Sequence, residues 1–153
     1  MANSYTQIVL HLVFAVKFRR SLINEDIRVS VEKYMTGIIT NRGHLVYAIY
    51  CMPDHCHILI SMRPHENLSK LVQEVKRSSA LMINQNNLAR EWFRWQSGYG
   101  AFSLRKSSRD IVIRYIQNQP ERHKRKSFKK EYKSILKENE VEFDENYLFH
   151  EPD

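Results

Sequence analysis

Two histidines separated by one residue stand in the stretch Met52-Pro53-Asp54-His55-Cys56-His57-Ile58-Leu59-Ile60. The apolar run Ile58, Leu59, Ile60 and Met62 has the length and composition of a β-strand. Successive side chains of a strand point to opposite faces, so His55 and His57 share one face and Cys56 takes the other. Two imidazoles side by side on a rigid strand make a ready pair of metal ligands. Such pairs also occur on half-buried strands with no ligand role, so the reading needs other groups at the same place. Tyr115 and Gln119, four residues apart, fall on one face of a predicted helix. They would bring a phenol and an amide together. Without a partner site, Tyr115 reads as a core aromatic and Gln119 as a solvated helix end. Tyr99, set between glycines in Gly98-Tyr99-Gly100, is a second candidate tyrosine; it reads equally as a packing or stacking aromatic.

These residues must be positioned by the elements around them. Alternation of Ile8, Leu10, Leu12, Phe14 and Val16 predicts a first strand within Thr6 to Phe18, with His11 on its other face. Lys17-Phe18-Arg19-Arg20 closes that strand with three cations around an aromatic, a pattern that suits a nucleic-acid backbone or a solvated strand end. Asn24 can cap a helix to about Thr40, with Ile27, Val31, Tyr34, Met35, Ile38 and Ile39 at helical spacing. A second strand over Leu45 to Met52 is followed, after a tight turn at Pro53-Asp54, by a third over His57 to Met62. Asn67 or Ser69 starts a second helix to about Asn84. Leu68, Leu71, Val72, Val75 and Leu81 or Met82 face the core, and Lys70, Lys76 and Arg77 lie on its wetter side. Aromatic Trp92, Phe93 and Trp95 precede a short glycine-bearing strand over 97–103. Ser107 can cap the helix that carries Tyr115, and Pro120 should end it at Gln119. A basic run over 121–130 can be helical as far as Asn139. The acidic tail carries Phe143, Tyr147 and Phe149, which could dock it.

Strand, helix, strand, strand, helix, strand is the order of a ferredoxin-like split βαβ fold. The expected class is therefore α+β: an antiparallel sheet with helices on one face, His55 and His57 on a central strand, and a further helix bearing Tyr115. The 153 residues suit one domain, with about 121–153 as a basic-then-acidic extension. The net charge of +7 favours a polyanionic partner. No apolar run approaches a membrane span, and the N-terminus lacks a signal-peptide layout. Cys51 and Cys56 lie too close in one hairpin to staple the fold, which suggests the reducing cytoplasm.

Four segments in order resemble the HUH endonucleases, and within them the small single-tyrosine transposases that move insertion sequences as single strands. Val13-Phe14-Ala15-Val16-Lys17-Phe18-Arg19-Arg20 is similar to the family's first strand. The stretch from Met52 to Leu59 matches its histidine motif, and Phe93 to Ser103 the segment before its catalytic helix. Tyr115-Ile116-Gln117-Asn118-Gln119 matches the helix bearing the nucleophile. Cys56 is smaller than the family's usual apolar residue, and Arg122-His123 departs from a histidine pair. The resemblance implies a divalent metal, Mg²⁺ or Mn²⁺, on His55, His57 and Gln119. It implies Tyr115 as the nucleophile, forming a 5′-phosphotyrosine link to single-stranded DNA, with hairpins at element ends as substrate. Lys17, Arg19, Arg20, Lys76, Arg77 and Arg105 are the cations expected to hold that DNA. It further implies a homodimer whose sites mix residues of both chains, with Leu104-Arg105-Lys106 as the connection that would let the helix cross. Trp92, Phe93 and Trp95 could then supply contacts between chains.

Three other readings compete. A non-catalytic nucleic-acid module would put stacking aromatics on the open sheet face, where this chain has His55 and His57. A structural zinc site of Cys51, Cys56, His55 and His57 is disfavoured because Cys56 faces away from the histidines. A host nuclease acting on repeated hairpins would share every motif of a mobile-element enzyme.

Overall fold

The computed structural model describes residues 4–148. Four antiparallel strands, β1 (Val9–Ala15), β2 (Leu45–Met52), β3 (His55–Ser61) and β4 (Gly100–Leu104), form one sheet in the order β2-β3-β1-β4. Helices α1 (Glu25–Asn41) and α2 (Leu68–Gln85) are the two expected crossovers. Beyond β4 come α3 (Arg109–Gln117), α4 (Gln119–His123), α5 (Phe128–Glu138) and α6 (Glu145–Leu148). The architecture is the α+β sheet predicted, and β3, with both histidines, is central.

Register decides which side chain meets which layer. Leu12 pairs with Ile58, Phe14 with Cys56 and Leu10 with Ile60. These pairs face α1 and α2 and form one core with Val31, Met35, Ile39, Leu71, Val72 and Val75. The opposite face carries Val13 paired with His57, Ala15 with His55 and His11 with Leu59. This second face is covered too: Ile116 of α3 packs on Val9, Ala48 and Leu59, and Phe128, Ile135 and Leu136 of α5 pack on Val13, Ala15 and Phe102. All seven residues of β1 are buried, as expected of a strand covered on both faces.

Several boundaries differ from the sequence expectation, each for a local reason. β1 stops at Ala15, and a 3-10 turn over Lys17–Arg19 follows, with Phe18 and Arg19 in left-handed backbone at φ 58° and 52°. β3 starts at His55, because the turn at Pro53-Asp54 occupies only two residues. Ser107 caps nothing: it lies inside a second 3-10 turn, Lys106–Ser108, and α3 begins at Arg109. Pro120 does not end a helix but opens α4, where its missing N–H costs nothing; the break falls at Asn118. On α2, Leu81 is 46% exposed while Ser79 and Ile83 are buried. Ser79 is tolerated there because its hydroxyl accepts from Trp95 Nε1 at 2.9 Å. Phe93 and Trp95 accordingly fill this chain's own core, while Trp92 is exposed. Phe143 packs beside Leu148 against the α5 cluster; Phe149 lies outside the described residues. Among the described residues, no helix is long and apolar enough to cross a membrane.

Two contacts lock the layers. Gly100 has no room for a side chain: a Cβ there would lie 2.8 Å from both the Phe102 ring and Tyr132 Oη. That close approach seats α5 on β4. At the other layer, Glu66 accepts from Arg42 Nε and Nη2, both at 2.7 Å, and from Asn67 N at 3.0 Å, with His44 Nε2 at 2.8 Å. It thereby ties the end of α1 to the start of α2. The Arg42 bonds, and then those from His44 and Asn67, hold its carboxyl at about 2 against the opposing effect of burial. A depressed carboxyl stabilises the fold fully above its unfolded value near 4.5, and this contribution fades as pH falls toward 2. Glu66→Gln should cost about 1–2 kcal/mol at neutral pH. Thermal unfolding followed by circular dichroism should then show a smaller gap between variant and wild type at pH 2.5 than at pH 7.

Candidate active site

His55 and His57 project from β3 toward α3, α4 and α5, and both are fully buried. Asp54, the turn residue, also orients His55: its Oδ1 lies 2.7 Å from His55 Nδ1. A carboxylate only accepts, so Nδ1 donates to Asp54 and His55 Nε2 is turned to the interior. Gln119 Oε1 lies 3.2 Å from that nitrogen. The amide cannot simply be turned over, because Gln119 Nε2 donates to Glu131 Oε2 at 3.0 Å. The ring nitrogen and the amide oxygen thus point into the same small volume as the Glu131 carboxylate.

Glu131, on α5, completes the group. Its Oε1 lies 3.1 Å from His57 Nε2 and 3.7 Å from His55 Nε2. The ligand atoms of His55, His57 and Glu131 all lie within 4.8 Å of one another. Two donors each about 2.1 Å from one ion sit about 3.0–3.4 Å apart at octahedral or tetrahedral angles. The His57–Glu131 contact matches that spacing and the His55–Glu131 one is a few tenths of an ångström wider, so these residues could hold a divalent cation after a small contraction. Mixed imidazole and oxygen donors suit Mn²⁺ better than Mg²⁺.

Tyr115 Oη donates to Glu131 Oε2, so the phenol reaches the same carboxylate that meets His57. Burial, then the charge and the hydrogen bond of Glu131, push this phenol far above its ordinary value. The Arg122 guanidinium, 4.2 Å from the centre of the Tyr115 ring, pulls the other way. Burial would raise the Glu131 carboxyl, but bonds from His123, His57 and Tyr115 overcome it and hold it ionised. Burial keeps His57 at about 4 and His11 at about 3, so both imidazoles are neutral at pH 7. Beside Tyr115 opens a cavity of about 620 Å³ whose lining includes Asn118, Arg122, Arg125, Lys126 and Glu131.

The structure therefore brings His55, His57, Gln119 and Tyr115 together, although α3 breaks before Gln119. It also places three residues there that sequence reasoning missed. Glu131 directly follows the basic run over 121–130, with no signal to mark it. His123 Nε2 lies 3.0 Å from Gln119 Oε1 and 3.2 Å from Glu131 Oε1; its place in the Arg122-His123 pair was the only hint. His11 Nε2 lies 2.8 Å from His57 Nδ1, buried beneath Tyr115. Its position on the second face of β1 was visible in the alternation, but its partner was not. Tyr99 lies elsewhere, its hydroxyl 3.0 Å from Ser69 Oγ. Cys51 and Cys56 are free thiols on the opposite, core-facing side.

The predicted cations divide. Lys17, Arg20, Lys76 and Arg77 gather where β1 ends against α2. Arg19 sits beside Lys17 in the 3-10 turn. Lys76 is turned inward, donating to Gln96 O at 2.8 Å and to Gly98 O, and burial lowers its ammonium to about 8. Arg77 pairs with Glu74. Arg105 lies at the opposite end of the sheet, just after β4.

Fold and site together are those of the HUH class of single-tyrosine transposases. The model of the IS200-like transposase family matches residues 4–119, and the chain belongs to that family. It is 24% identical over 118 residues to the ISDra2 transposase TnpA of Deinococcus radiodurans, covering 74% of this chain and 84% of that one. It is 26% identical over 131 residues to the transposase for insertion sequence element IS200 of Salmonella typhimurium, covering 81% and 84%. Its fold is shared with a candidate transposase of D. radiodurans R1, at a TM-score of 0.63 and 22% identity over 78% of this chain and 95% of that one. It is shared also with a REP-associated tyrosine transposase bound to a REP hairpin, at a TM-score of 0.61 and 15% identity over 80% and 73%. The family match ends at Gln119, so His123 and Glu131 lie beyond it.

Where His57 Nε2 faces a cation, its Nδ1 must carry the proton and donate it to His11 Nε2. His11→Ala removes that acceptor without touching any ligand. Calorimetric titration with Mn²⁺ should show binding weakened about 10- to 100-fold, the usual cost of losing a ligand's hydrogen-bond partner.

Proposed function

We propose that this protein cleaves and rejoins single-stranded DNA at the ends of a mobile element, through a 5′-phosphotyrosine intermediate. The observation that carries the reading is that one buried carboxylate, Glu131, meets both the Tyr115 hydroxyl and His57 Nε2. Nucleophile and histidine pair therefore share a single site, and beside it opens a cavity lined by Arg122, Arg125 and Lys126 together with the carboxylates Glu121, Glu131 and Glu138.

His55, His57 and Glu131, with Gln119 beside them, would hold a divalent cation, Mg²⁺ or Mn²⁺. When bound, such an ion neutralises charge on the scissile phosphate. The chain's own groups do the rest. Arg122, Arg125 and Lys126 hold the DNA backbone in the cavity. Tyr115 Oη bonds to phosphorus and passes its proton to Glu131 Oε2. A free phenol holds that proton too tightly to release it to so acidic a carboxylate, but the oxygen loses basicity as its bond to phosphorus forms. The bond from phosphorus to the 3′ oxygen breaks, and that oxygen takes up a proton and leaves as a 3′-hydroxyl. The phosphotyrosine keeps the bond energy, so another 3′-hydroxyl can reverse the step and join strands.

Hairpin ends as the substrate are supported by the basic surface and by the shared fold with the hairpin-bound relative. A homodimer with exchanged tyrosine helices remains part of the reading through the exposed Arg105-Lys106 link. Within one chain, α3 already delivers Tyr115 to Glu131.

Two measurements test the chemistry. Tyr115→Phe should abolish the covalent adduct with labelled single-stranded DNA in Mg²⁺ or Mn²⁺ while leaving DNA affinity nearly unchanged. An adduct persisting in that variant would overturn Tyr115 as nucleophile. Co-refolding His57→Ala chains with Tyr115→Phe chains then reads the assembly. A dimer with exchanged helices should recover cleavage in the mixture, with the adduct only on the His57→Ala chain; no recovery would overturn the exchange and leave each chain using its own Tyr115.

A further inference from the structure

Trp92 is 68% exposed, on a segment that is otherwise firmly held. Phe93 N donates to Asn84 Oδ1 at 2.8 Å and Asn84 Nδ2 donates to Phe93 O at 2.9 Å. Lys17 N donates to Arg94 O at 2.9 Å, and Gln96 N to Ala15 O at 2.8 Å, so the segment continues the sheet beside the end of β1. Arg20 Nη2 donates to Glu91 Oε2 at 2.8 Å and pins the segment's start. Alternation does the rest: Phe93 and Trp95 point into the core, and Trp92 and Arg94 point out. A large indole held rigidly in water adds little to folding.

Two cavities, of about 550 and 350 Å³, meet at this indole, and Lys17, Trp92 and Arg94 line both. Arg77 borders the larger and Arg20 the smaller. Glu91 and Glu74 neutralise part of the Arg20 and Arg77 charge, so Lys17 and Arg94 are the cations that flank the ring most directly. Rigid aromatic, adjacent cations and open space are what a nucleotide requires: a face for its base and donors for its phosphates. The charge complements an anion and opposes a second copy of this basic chain.

We propose that Trp92 is a stacking platform for an unpaired base of single-stranded DNA, with Lys17 and Arg94 on the phosphates beside that base. The platform is separate from the catalytic cavity, since it opens on the α2 side of the sheet while Tyr115 lies on the α3 and α5 side. It would hold the strand at a second point. The inference rests on the proposed action on single-stranded DNA and adds where a base outside the cleavage site is held.

The test is fluorescence anisotropy with a labelled single-stranded oligonucleotide of mixed sequence, using the full chain without added metal. Trp92→Ala should bind roughly 5- to 100-fold more weakly, the loss of one stacked base. Trp92→Tyr should recover most of that affinity, and circular dichroism should show both variants folded like the wild type. Wild-type affinity in Trp92→Ala, or a Trp92→Tyr variant as weak as Trp92→Ala, would overturn the platform. So would a dimer that falls apart in Trp92→Ala in step with the lost affinity, since Trp92 would then be a contact between copies. Adduct formation at saturating DNA is measured separately. Its presence in the wild type with no effect of Trp92 on binding sinks the platform alone. Its absence in the wild type sinks the proposed cleavage, while the binding comparison still stands.

Discussion

A carboxylate buried against a sheet must find donors or leave its layer, and in this protein Glu131 finds them all in one place. His57, His123, Gln119 and Tyr115 converge on its two oxygens, drawn from β3, α4 and α3. An uncompensated charge at that depth would cost several kcal/mol, so the helices that supply the partners cannot drift independently. Phe128 adds an apolar clamp, its ring stacked 3.8 Å from that of His55. The second face of the sheet is thus closed by a polar network at its centre and by Ile116, Ile135 and Leu136 around it.

That arrangement makes the site rigid. Asp54 sets the tautomer of His55, and His11 stands behind His57. His55 Nε2 also meets the oxygen of Gln119 at 3.2 Å, so the histidine pair, the amide and the carboxylate form one buried polar cluster. The phenol of Tyr115 donates to Glu131 and is held neutral by burial and by that carboxylate's charge.

Charge on the molecule is organised at two distances from this centre. Arg122, Arg125 and Lys126 surround the cavity that reaches Tyr115, whereas Lys17, Arg20 and Arg94 surround Trp92 on the other side of the sheet. Lys76 belongs to neither group in function: its ammonium is spent on the carbonyls of Gln96 and Gly98 and holds the tryptophan-bearing segment to α2. A positive residue in a basic sequence is therefore not interchangeable with its neighbours, since burial and partners decide which cations remain for a polyanion.

Much of this could be read from the chain itself, wherever the controlling interaction is local. Alternation placed β1, β2 and β3, helical spacing placed α1 and α2, and the two-residue step put His55 and His57 on one face of a central strand. The four segments carrying Tyr115, Gln119 and the histidines were enough to identify the family. What failed locally was also local: Pro120 and Asn118 shift a helix boundary by two residues, and two 3-10 turns replace a strand end and a helix cap. The remaining facts belonged to tertiary structure alone. Glu131 is 74 residues from His57, and no periodicity distinguishes it from any other acid on a solvated helix. His11 is 46 residues from the ring it supports. The burial of Trp95 is matched by a serine of α2, 16 residues away, that accepts its indole N–H. Pairings over such separations are settled by packing and by the need to satisfy every buried polar group, and these are properties of the folded chain rather than of any stretch within it.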